Sequence, residues 1–262
     1  MTADRWIRTV RQQVGLGRLL PLGGPRDGAW IFERAAGAVL RRAVARAEPG
    51  IRLDGLRIAL AAPEEAGEPV VPAPPSALPP GSLRVTARFA APAAEPLPVT
   101  ADRLRAVLSR AAAERIGLVV TEVDLEVAEL LDAGAGTAGP TAESGPSGSA
   151  VDGPADAPFE GRGDTPTGAP ESGGRSDEDR VAAAALAVPG VSRLTGALGR
   201  AVHLAPSPQA PDGVALTGRH VRVDLAVGAD HRALDVARSV RAAVSAALPD
   251  RPTVAVLVTA VD

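Results

Sequence analysis

The chain has 262 residues, 45% of them hydrophobic but only 2% aromatic, so any core is assembled from Ala, Val and Leu, while 28 Gly and 25 Pro point to small domains joined by turns and linkers. The net charge is −3, cysteine is absent, and all 28 basic residues are arginine. This excludes a disulfide scaffold, a thiol nucleophile, thiolate metal sites, a Schiff-base lysine and a phosphate-loop lysine, and leaves binding, scaffolding or assembly.

Residues 1–28 read as a basic amphipathic arm. Trp6, Ile7, Val10 and Val14 recur at helical spacing between Arg5, Arg8, Arg11 and Arg18, and the first 57 residues carry 11 Arg against 5 acids. Residues 2–20 are suited to an anionic membrane surface or to a protein partner, and Gly15 and Gly17 favour docking because they limit the helix to about three turns. Trp6, Arg8 and Arg11 are the contact candidates in this arm. The stretch Gly23-Gly24-Pro25-Arg26-Asp27-Gly28 lacks dinucleotide-binding spacing and reads as a turn leading to a helix capped by Asp27.

Residues 29–132 read as an α+β module. A helix from about Ala29 to Ala47 ends at Pro49-Gly50, and Ile51 to Leu60 is the first strand. A Pro-rich insertion, 61–81, interrupts the module before Leu83, Val85, Ala87 and Phe89 alternate with Arg84, Thr86 and Arg88. A helix opening at Thr100 carries Leu104, Val107, Leu108 and Ala111 on one face, with Gly117 as its C-cap, and a strand from Leu118 to Val127 closes the unit. Residues 133–178 hold 11 Gly and 6 Pro, 8 acids against 2 Arg, and one large apolar side chain, Phe159; they read as a disordered acidic linker. Its Arg162-Gly163-Asp164 tripeptide is a chance match in a segment rich in those residues.

Residues 179–262 repeat the order helix, strand, strand, helix, strand. A short helix, Asp179 to Ala187, stops at Pro189-Gly190, and a β-like stretch runs from Val191 to Leu204. Val221, Val223, Leu225 and Val227 then alternate with Arg222, Asp224 and Ala226, an amphipathic helix spans Asp230 to Leu248, and Thr253 to Val261 is the last strand. The expected fold class is therefore α+β, with two repeated small modules joined by a disordered linker.

The helix ending in Val188-Pro189-Gly190-Val191, the strand Val221 to Val227, the helix containing Val236-Ala237-Arg238-Ser239-Val240 and the closing Val-rich strand resemble the alkaline shock protein family of Gram-positive envelope stress response proteins. The resemblance covers 179–262 and reaches 29–128 through the internal repeat alone, where the Pro-rich insertion departs from the pattern. It implies a non-enzymatic, cytoplasmic scaffold or adaptor that docks at the inner face of the envelope through a membrane-anchored protein partner, and the two open strand edges of a small three-stranded module favour self-association. It supplies no catalytic, cofactor-binding or metal-binding residues. Arg222 and Asp224, on the polar face of their strand, join the arm residues as partner-contact candidates.

Candidates for other chemistry have simpler readings. His203, His220 and His231 have no metal-ligand spacing, and Glu122, Asp124 and Glu126 read as a solvated strand face. Gly196-Ala197-Leu198-Gly199 has the form of the K-homology loop that clamps an RNA backbone, which makes a small RNA-binding protein the alternative function. That loop should join two helices and carry a basic middle residue; with few aromatics and balanced charge, nucleic acid is disfavoured and a hairpin turn expected. No apolar run approaches membrane-spanning length and no secretion signal opens the chain, so the expected location is cytoplasmic, with peripheral membrane contact left open.

Overall fold

The computed structural model describes residues 17–131, 176–206 and 219–262. The chain enters through a short hairpin, β1 (Leu19–Pro21) and β2 (Ala29–Phe32), with Leu20 opposite Ile31. The turn between them is closed by Asp27, whose Oδ2 accepts the Gly24 N–H at 2.7 Å. Asp27 therefore braces a turn and caps no helix. The helix expected from Ala29 begins at Glu33: Ala29-Trp30-Ile31-Phe32 is a fully buried strand, and α1 (Glu33–Ala47) grows directly from its end. Leu19, Leu20 and Leu22 are likewise buried, so residues 17–28 belong to the folded body and not to an arm. Residues 1–16 lie outside the described residues.

From α1 the chain continues through β3 (Arg52–Leu60), β4 (Leu83–Pro92), α2 (Leu97–Ala111) and β5 (Val120–Leu131). Strand order is β3-β4-β5, with β4 antiparallel to β3 and parallel to β5. The period-two pattern of β4 holds: Leu83, Val85, Ala87 and Phe89 are buried, and Leu83, Val85 and Phe89 each contribute about 1.5–3 kcal/mol when fully withdrawn from water. The opposite face is a ladder of ion pairs. Arg84 Nε lies 2.5 Å from Glu122 and 3.5 Å from Asp124, Arg88 Nε 3.8 Å from Glu126, and Arg52 Nη2 2.7 Å from Glu129. Helix α2 starts at Leu97, three residues before Thr100, and runs into a π turn, Ala112–Ile116, closed by Gly117 at φ +96°.

The remaining elements are α3 (Asp177–Leu186), β6 (Val191–Leu194), β7 (Val202–Pro206), β8 (Arg219–Val227), α4 (Ala233–Ala247) and β9 (Thr253–Val261). Ser176 and Asp179 form a reciprocal capping box at the start of α3, so this helix begins inside the last residues of the segment expected to be linker; 133–175 of that segment lie outside the described residues. β6 and β7 both pair antiparallel with β8, Val191 opposite Val227 and Val202 opposite Val223. They are two halves of one edge strand, and Gly196 to Gly199 is an excursion within it, not the hairpin turn expected. β8 also pairs parallel with β9.

Residues 19–32 tie the two parts together. β2 pairs parallel with β9, Trp30 opposite Leu257, giving the order β1-β2-β9-β8-β6. The Pro-rich insertion lies along this junction: Leu78 N–H donates to Leu19 O at 2.8 Å, Trp30 Nε1 to Leu78 O at 3.3 Å, and Val70 N–H to Pro25 O at 3.1 Å. Arg241 of α4 donates to Arg26 O and Asp27 O, at 2.8 and 2.6 Å. Val254 to Val258 are buried without alternation, as expected for a strand paired on both sides and covered on both faces. Among the described residues no helix is long and apolar enough to cross a membrane.

Candidate functional site

Of the expected contact residues, Trp6, Arg8 and Arg11 lie outside the described residues. Arg222 and Asp224 are described, and their environment corrects the expectation. The Asp224 side chain is fully buried and that of Arg222 is 13% exposed, so neither presents an open face to a partner. Asp224 Oδ1 accepts from Arg222 Nε at 3.0 Å, and its Oδ2 accepts the Leu198 N–H at 3.2 Å. The glycine-bounded excursion is thus tethered to the carboxylate from outside the strand. Burial pushes the Asp224 carboxyl up, and the Arg222 charge and the Leu198 hydrogen bond only partly offset it.

The histidines occupy structural positions. His220, at the start of β8, is buried with Nδ1 3.0 Å from Thr253 Oγ1; burial, followed by the charges of Arg222 and His203, pushes its pKa down. His203 lies opposite Arg222 on β7. His231 packs against Gly190, which has φ +93° and where a Cβ would stand 2.8 Å from the imidazole. Glu122, Asp124 and Glu126 face Arg84 and Arg88, so their charge is met within the sheet and not left open to a cation. Among the described residues no group of three or more His, Asp or Glu side chains is placed to hold a metal ion.

One concave site was not legible from motifs. A cleft of about 430 Å³ opens between α1 and the end of α2, floored by Val39, Ala43, Val107, Ala111 and Val261. Arg42 and Arg46 line it from α1, Arg110 from α2, and Glu114 and Arg115 from the π turn. Comparison with protein-family models, with curated proteins and with solved structures gives no match.

Proposed function

We propose that this protein is a non-enzymatic, cytoplasmic scaffold or adaptor, similar to the envelope stress response proteins of the alkaline shock family, that self-associates and docks on an envelope-associated protein. Two copies of one module are our reading of its architecture. α1-β3-β4-α2-β5 and α3-β6/β7-β8-α4-β9 share element order, and each places an antiparallel strand and a parallel strand on either side of a central one. The observation that carries self-association is β5. It is the terminal strand of its sheet, none of its 12 residues is buried, and Val127 and Leu130 are 40% and 52% exposed. A long edge strand with exposed apolar side chains offers its free backbone groups to a second chain. In the alternative RNA-binding reading, the Gly196–Gly199 loop would have to join two helices, whereas it divides β6 from β7.

The test is sedimentation and imaging of the tagged full chain beside Val127→Lys and Trp6→Ala/Arg8→Glu. The wild type should self-associate and collect at the cell periphery after nuclease treatment. Val127→Lys should lower the association state, and Trp6→Ala/Arg8→Glu should become diffuse. A monomeric wild type with unchanged localisation of the double variant overturns the proposal, and loss of sedimentation on nuclease treatment moves RNA binding to first place.

A further inference from the structure

Among the described residues most arginines are spent on internal partners: Arg52, Arg84, Arg103, Arg219 and Arg238 each hold carboxylates. Arg26, Arg41, Arg57 and Arg251 have no such partner among the described residues and stand outside the cleft, whereas Arg42, Arg46, Arg110 and Arg115 are gathered in one place. Each is exposed, each lines the cleft between α1 and α2, and none has an ion-pair or side-chain hydrogen-bond partner among the described residues. Favourable placement at helix C-termini accounts for Arg46 and Arg110, which stand in last turns. It does not account for Arg42, one turn earlier on the same face as Arg46, because like charges four residues apart repel. Nor does it account for Arg115. In a regular α-helix, residues five apart point about 140° away from one another. The π turn, in which Gly117 N–H reaches back to Ala112 O at 2.8 Å, brings residues five apart towards one side, so Arg115 joins Arg110 in the cleft.

We infer that this cleft binds a small anion carrying two linked phosphoryl groups. Four guanidinium groups and Glu114 give the lining a net charge of +3. A phosphoryl group brings about 1.5 to 2 negative charges, so two of them neutralise the site where one carboxylate would not. Guanidinium forks match phosphate oxygens in paired hydrogen bonds. The cleft, about 430 Å³, has the size of a small-ligand site and no aromatic side chain on which a base could stack. Its aliphatic floor accommodates an apolar remainder. The inference stands independently of the scaffold reading.

Calorimetric titration of the full chain at low salt with sodium pyrophosphate, geranyl diphosphate, inorganic phosphate and citrate tests it. Both diphosphates should bind at one saturable site, at least about tenfold more tightly than phosphate or citrate. Arg42→Gln and Arg110→Gln should each weaken that binding by about tenfold or more, whereas Arg26→Gln, an exposed arginine outside the cleft, should leave it unchanged. Tighter binding of geranyl diphosphate would assign the ligand to lipid-borne diphosphates, and equal binding would assign it to soluble ones. Absence of saturable diphosphate binding, equal binding of citrate, or equal loss in Arg26→Gln overturns the inference. Thermal unfolding of each variant verifies that the fold is intact.

Discussion

Gly117, in the left-handed region at φ +96°, lies against Leu234 of α4, so closely that a Cβ at position 117 would collide with the Leu234 Cβ and stand 2.9 Å from Cδ2. The end of α2 and the start of α4 approach as closely as a missing side chain permits. Gly117→Ala should therefore combine backbone strain with overpacking and cost about 3 kcal/mol. Urea unfolding measures this, and Leu234→Ala in the same chain, which keeps the colliding Cβ but removes Cγ and Cδ2, should recover only a small part of the loss. Strictly additive effects of the two changes would show that the contact does not couple them.

Trp30 links the hairpin to the Pro-rich insertion through its indole N–H, with the ring 1% exposed. Trp30→Ala should cost about 3–5 kcal/mol from the cavity it leaves. Trp30→Phe, which leaves the Leu78 carbonyl without that donor, should cost about 1 kcal/mol in addition to a smaller packing loss. Denaturation followed by circular dichroism distinguishes these. In a Trp6→Phe background, the emission of Trp30 should be blue-shifted until the chain unfolds.

The elements that local pattern made legible are those whose periodicity and stop signals agree: β4, α4 and β9 fall within a few residues of their expected places. β2 did not, because Ala29-Trp30-Ile31-Phe32 is an apolar run continuous with an Ala-rich helix, and its partner β9 lies more than 220 residues away. Alternation along β8 implies one solvated face and so an exposed Asp224; the excursion 195–201, which brings the Leu198 N–H to that carboxylate, is a tertiary event that no local pattern carries. The arginine cleft had no motif at all. It depends on two helices meeting and on a π turn that rotates Arg115 into line with Arg110.

Asp27 should make folding acid-sensitive. Burial raises its carboxyl, but hydrogen bonds from Arg238 and from the Gly24 N–H, together with the charges of Arg238 and Arg241, outweigh this and hold it below the ordinary carboxylate range. A depressed folded-state value stabilises above the unfolded value, and that stability is lost as pH falls through the folded one. Asp27→Asn should be about 1 kcal/mol less stable near neutral pH, a modest figure because Arg238 is half exposed. The gap should close below about pH 4. A gap that persists in acid would assign the loss to the turn geometry instead.

Asp224 carries the opposite sign. Its folded-state carboxyl is raised by burial, so between the ordinary carboxylate value and the raised one the folded chain binds a proton that the unfolded chain has released. Its contribution to stability is therefore least favourable at high pH, improves as pH falls through the raised value, and levels off below about pH 4. Asp224→Asn keeps the shape and an acceptor for the Leu198 N–H but has no proton to gain. Relative to that variant, the wild type should grow more stable on acidification, by at most about 1.4 kcal/mol for each pH unit within the window. Parallel stability–pH profiles for the two proteins would mean that Arg222, 3.0 Å from the carboxylate, holds Asp224 ionised in spite of its burial.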